Sequence, residues 1–161
     1  MLLNVSDVAL QTAITVQSTA PISEVENRLI QNPVSRIYVT DEEERLLGVV
    51  PDHDILSYRL LGGDGQGRIG TLMIPPSVTI TPSTRLSDAI RLLCQKEIDC
   101  LPVVTGERLI GQLCRSQLFR LLHEQNWQLP RESTEPVLTP LAVVGGTSLE
   151  PVRESLRLRI A

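Results

Sequence analysis

The order of apolar and polar positions predicts the elements of this chain before any other property does. Ile14-Thr15-Val16 reads as a short strand. Apolar residues at Ile22, Val25 and Leu29 follow the i, i+3, i+7 spacing of one helix face, and Pro21 suits the first helical position. Two strands come next, Arg36–Thr40 and Leu46–Val50, joined by the charged loop Asp41-Glu42-Glu43-Glu44. A further helix carries Ile55 and Leu56. The same series then restarts. Val78–Ile80 is a strand, and Leu86, Ala89 and Leu93 mark a helix with Thr84 as its N-cap. Leu101–Thr105 and Leu109–Leu113 flank the turn Thr105-Gly106-Glu107, and a closing helix holds Leu118, Phe119 and Leu122. Each half therefore reads β-α-β-β-α.

The two halves are copies. Ile14-Thr15-Val16 recurs as Val78-Thr79-Ile80 at an offset of 64, and Ile37-Tyr38-Val39 recurs as Leu101-Pro102-Val103. After the loss of one residue, Arg45-Leu46-Leu47-Gly48 matches Arg108-Leu109-Ile110-Gly111. Identity is sparse, but the apolar positions coincide in order, which is the mark of a duplicated small domain. The expected organisation is repeat one at 1–62, a Gly-rich junction at 63–68, repeat two at 69–124, and a Pro-containing tail at 125–161. A repeat of about 55 residues is marginal alone. The expected fold is thus α+β, with two repeats sharing one core about a pseudo-two-fold axis.

Composition narrows the function. Hydrophobic residues are 42% and charged residues 21%, the balance of a soluble globule, while aromatics are only 2%. That scarcity removes the stacking platforms used to hold single-stranded nucleic acid. The net charge is −4 with scattered basic residues, so neither nucleic acid nor an anionic membrane surface is an expected partner. Cys94, Cys100 and Cys114 lie among apolar neighbours without CxxC spacing, so reduced core thiols in a cytoplasmic protein are expected. His53 and His123 have no ligand-spaced partners, so no metal is expected. No nucleophile–base order, P-loop or dinucleotide glycine pattern occurs, and the chain reads as non-enzymatic.

The duplicated β-α-β-β-α unit resembles the cystathionine-β-synthase-type (CBS) domain pair. Leu101-Pro102-Val103-Val104 is similar to the family's central strand, and Gly48-Val49-Val50-Pro51-Asp52-His53-Asp54 to its pattern Gly-apolar-apolar-Ser/Thr-x-x-Asp. Thr71-Leu72-Met73 before Pro76-Ser77-Val78-Thr79 resembles the lead-in to a repeat. The resemblance covers about 4–124. It implies a regulatory module that binds AMP, ADP, ATP or S-adenosylmethionine in clefts between the repeats. On that basis Asp54 accepts from the ribose hydroxyls, Arg36 faces phosphate, and Ala13, Ile14 and Thr15 line an adenine slot. Pro51 stands where the family has its phosphate-bonding Ser/Thr and offers neither hydroxyl nor N–H. The second cleft, with Val78, Thr79, Cys114 and Gln117, is the weaker. There a thiol and an amide replace the hydroxyl and the carboxylate, and Cys100 after Asp99 replaces the cation.

Less specific roles fit the same residues. Asp54 suits the first turn of a helix through the dipole, and Arg36 suits an edge strand as a guard against self-pairing. A second function class follows from Pro51, Cys114 and Gln117: a dimerising interaction scaffold with degenerate, ligand-free clefts. The resemblance also implies a homodimer through helices, with Leu92, Leu93, Leu121 and Leu122 as contacts. The tail carries four Arg and four Glu, four prolines, and the apolar runs Val137–Val144 and Leu156–Ile160. It reads as a partly ordered tail, or as a strand or arm that docks on its own module or on a protein partner by edge addition.

Overall fold

The structure is a computed structural model that describes residues 3–95 and 98–124. The tail reading at 125–161 lies outside the described residues. Repeat one forms a three-stranded sheet of β1 (Thr15–Gln17), β2 (Arg36–Thr40) and β3 (Leu46–Pro51), in that order. β1 runs parallel to β2, and the crossover between them is α1 (Ile22–Gln31). β2 and β3 are antiparallel, and α2 (Asp52–Leu60) follows directly. The register pairs Thr15 with Tyr38 and Ile37 with Val50.

Repeat two has α3 (Leu86–Gln95), an antiparallel pair β4 (Cys100–Thr105) and β5 (Arg108–Cys114), and α4 (Arg115–Glu124). The expected strand Val78–Ile80 is reduced to one parallel bridge between Ile80 and Val103. In repeat one the Tyr38 N–H donates to Ile14 O at 2.9 Å. The matching position in repeat two is Pro102, which has no N–H to donate, so the ladder shortens.

The repeats exchange their leading segments. Val5 is fully buried in the core of repeat two, with Leu86, Ala89, Leu93, Leu101 and Leu113. Ile69, 64 residues later, is fully buried in the core of repeat one, with Val16, Ile22, Val25, Ile37 and Val50. The exchange also supplies helix caps, because the first N–H groups of a helix lack partners within it. Leu86 N donates to Leu3 O at 2.8 Å, and Ile22 N donates to Gly67 O at 2.8 Å. Pro21 is therefore the N-cap of α1 and not its first residue, and the carbonyls of Gly65 and Gly67 do what its side chain cannot. Thr84 does not cap α3; its hydroxyl accepts from Thr81 N in the preceding turn.

The Gly-rich junction is packed down by the same bonds. Tyr58 donates to Asp64 O, Arg59 to Gly63 O, and a Cβ at Gly63 would fall 2.3 Å from the Tyr58 ring. Only glycine permits that approach. Leu93 is 1% exposed, so it is a core residue and not a contact for a second chain. Leu92 and Leu121 pack partly buried against the same core. The apolar side chains that do face outward include Ile30, Leu56, Leu60, Leu61 and Phe119.

A third cluster joins the two halves: Tyr38 and Val49 from repeat one, Val104 and Leu109 from repeat two. Around it β3 and β5 meet at their starts, where Leu46 N donates to Glu107 O and Leu109 N to Glu44 O. Tyr38 is fully buried, and its hydroxyl donates to Gln112 Oε1 at 3.0 Å. Burial pushes its phenol up to about 12, with the Arg36 charge opposing. A group that binds its proton more tightly when folded stabilises fully below its unfolded value and loses that contribution as pH rises through the folded one. Unfolding free energy should therefore fall by about 2–3 kcal/mol between roughly pH 10 and 12. Denaturant titrations across that range should show the fall, and Tyr38→Phe should flatten it.

Candidate functional site

The exchange of leading segments builds a cleft from both repeats. The strap at 11–15 leaves repeat two and enters β1. Gln11 and Gln112 of β5 exchange both backbone hydrogen bonds, each at 3.0 Å. Gly111 allows this approach, because a Cβ there would lie 3.1 Å from Gln11 O. Between the strap and the loop after α1 opens a cleft of about 800 Å³, lined by Gln11–Thr15, Arg28, Gln31–Val34 and Gln112. A smaller chamber of about 320 Å³ shares Gln11, Pro33, Val34 and Gln112 with it and adds Ser35, Arg36, Asp99, Cys100, Cys114, Arg115 and Ser116.

The lining is cationic although the chain carries −4: three arginines face one aspartate. Arg28 is held by Thr15 O at 3.0 Å and by Glu24 at 2.8 Å. Arg36 has a buried Nε without a hydrogen-bond partner. Arg115 pairs with Asp99 and holds its carboxyl below the ordinary carboxylate range; partial burial works against this, while Ser35 and the Arg36 charge reinforce it.

The residues picked from the sequence are divided by this geometry. Ala13, Ile14 and Thr15 line the larger chamber, and Arg36 and Cys114 the smaller. Asp54 and Pro51 line neither. Asp54 sits in the first turn of α2 beside His53, whose Nε2 is 3.4 Å from Asp54 Oδ1. Val78 packs on the core of repeat two, and Thr79 borders a separate groove with Asp41, Arg45 and Glu107. The physical reason is again the exchange: the lead-in of repeat one lies over β5, and that of repeat two bridges Val49 of β3 through Ile74. Gln117 uses both ends of its amide internally. Its Oε1 accepts from Cys114 N at 2.8 Å, half of a capping box, and its Nε2 donates to Ala9 O.

The cysteine expectation is corrected. Cys100 lies directly opposite Cys114 across β4 and β5, and the two are joined as a disulfide, while Cys94 is free and exposed. Apolar neighbours indicated burial correctly for two of the three but carried no information on cross-strand register. Arg28, Gln112 and Arg115 were missed. Gln112 had a readable signal, a polar residue inside the apolar strand Leu109-Ile110-Gly111-Gln112-Leu113. Among the described residues no group of three His, Cys, Asp or Glu is placed to hold a metal, and no helix is long and apolar enough to cross a membrane.

Comparison with known proteins decides the family. The CBS domain model matches twice, at residues 5–61 and 69–124. The chain belongs to the CBS domain family. The CBS domain-containing protein YhcV of Bacillus subtilis is 32% identical over 109 residues, covering 67% of this chain and 77% of YhcV. The chloroplastic CBS proteins CBSX1 and CBSX2 of Arabidopsis thaliana are 25% and 27% identical, each over 65% of this chain. The chain spans 57% and 56% of their lengths. The structure of CBSX2 in complex with AMP superposes with a TM-score of 0.69 at 27% identity, over 78% of this chain and 99% of that one. An acetoin utilization protein (AcuB) of Vibrio cholerae shares the fold with a TM-score of 0.70 at 20% identity, over 81% of this chain and all of the other.

Thiol titration checks the cysteine assignment. Denatured without reductant, the CBS pair should show one reactive thiol per chain, and three after reduction; three thiols without reduction would exclude the bridge.

Proposed function

We propose that this chain is a regulatory CBS pair that binds an adenosine nucleotide in the cleft beneath the strap. The observation that carries the reading is the pairing of chemistries along one cleft. A slot of Ala13, Ile14 and Val34 suits a purine ring, and it opens into a chamber holding Arg36 and Arg115. The solved complex of the related CBSX2 with AMP supports it. CBS pairs of lower identity have been solved with AMP and with S-adenosylmethionine. The cationic lining favours AMP, ADP or ATP over the sulfonium of S-adenosylmethionine. By the duplication Asp54 and Pro51 match Gln117 and Cys114, and Val78 and Thr79 match Ile14 and Thr15, while Arg28, Arg36 and Arg115 are matched by Leu92, Cys100 and Asp52. No chemistry of its own is assigned to the module.

Thermal shift tests the reading. A nucleotide at about 100 times its dissociation constant adds roughly 2.7 kcal/mol, a rise of several degrees. Arg36→Ala should abolish most of the rise with AMP or ATP, and Asp54→Ala should leave it. No shift with any of AMP, ADP, ATP or S-adenosylmethionine would overturn the proposal. It would favour the ligand-free scaffold, for which the internally bonded Gln117 and the bridged Cys114 speak.

We propose that the module self-associates through the outward face of α2, where Leu56 and Leu60 stand one turn apart at 70% and 87% exposed. Sedimentation should show a dimer that Leu56→Asp with Leu60→Asp converts to monomer; an unchanged sedimentation coefficient would exclude this face.

A further inference from the structure

The two clefts are related by the duplication, and one buried polar pair breaks that relation. Gln112 corresponds to Val49 in repeat one, and Tyr38 corresponds to Pro102 in repeat two. The hydrogen bond between Tyr38 and Gln112 therefore has no counterpart on the other side.

Gln112 is 5% exposed, its backbone is tied in both directions to Gln11, and its Oε1 accepts from Tyr38. A carboxamide has an accepting and a donating end. With the oxygen engaged, the nitrogen end is left without a protein acceptor among the described residues, yet it is not sealed off from open space. Gln112 lines both the larger chamber, which holds Ala13, Ile14 and Val34, and the smaller one, which holds Arg36 and Arg115, so it stands where they meet. An almost fully buried side chain held in one orientation therefore presents its N–H donors to the cleft.

We infer that Gln112 is a specificity-determining residue that donates a hydrogen bond to ring nitrogen N3 or N7 of the bound purine, and that Tyr38 is the positioning residue that orients it. This rests on the nucleotide reading of the cleft. A nucleotide with its ring in the slot and its phosphate toward Arg36 passes Gln112 at the edge of the base. A donor there accepts a purine with a bare ring nitrogen and disfavours one in which that nitrogen is a C–H.

The test compares AMP with its 3-deaza and 7-deaza analogues by calorimetric titration, in the wild type, Gln112→Leu and Tyr38→Phe. In the wild type one of the two analogues should bind about three- to tenfold more weakly than AMP, the effect of one net hydrogen bond. In Gln112→Leu that ratio should collapse to about one because AMP itself weakens, and Tyr38→Phe should reduce it part-way. A purely structural pair would lower the melting temperature in both variants and leave the ratio of AMP to analogue unchanged. That result, or equal binding of all three ligands by the wild type, overturns this inference while leaving nucleotide binding in place. Failure of the wild type to bind AMP at all overturns the nucleotide reading, and this inference with it.

Discussion

The exchange of leading segments is the constraint on which the rest of the structure depends. Val5 and Ile69 each leave their own repeat and are buried completely in the other. Burying an aliphatic side chain of this size contributes about 1.5–3 kcal/mol. The backbone of the same segments supplies the caps of α1 and α3, which their own residues do not provide. Each half thus completes the core and a helix end of the other. A unit of this size is marginal by itself, and here neither unit is closed without its neighbour.

The clefts inherit this construction. Because the strap carrying Ala13, Ile14 and Thr15 crosses onto β5, its chemical partners come from repeat two and from the start of β2. Duplication supplies two such places, but divergence has made them unequal. One has gathered arginines, a cross-strand disulfide and the Tyr38–Gln112 bond, while the corresponding residues of the other include Val49, Pro51 and Pro102.

Much of the architecture was legible along the chain, and particular residues show where legibility stopped. The strand read at Arg36–Thr40 is found with those bounds, the one read at Leu46–Val50 runs one residue further, and Ile22, Val25 and Leu29 lie in α1 as their spacing required. The loss of a strand at Val78–Ile80 was written in Pro102, but at a position that becomes meaningful only when Pro102 faces that segment. Leu93 shares the apolar helix face of Leu86 and Ala89, so its spacing marked it as core, and Val5 and Leu101 complete its burial. Ala13, Ile14, Thr15 and Arg36, which the resemblance named, line the two chambers, while Asp54, named with them, lines neither.

By itself, the sequence determined the two-fold duplication, the type and order of most elements, and the family. These depend on periodicity and on apolar positions, which are local and recur at a fixed offset. Tertiary structure alone decided which half each leading segment joins, that Cys100 faces Cys114, that Gln117 is spent on Ala9 and Cys114, and that Gln112 is left with a free donor. Those are relations between residues far apart in the chain. They are set by register and by the filling of a shared core, and neither is written at any one position.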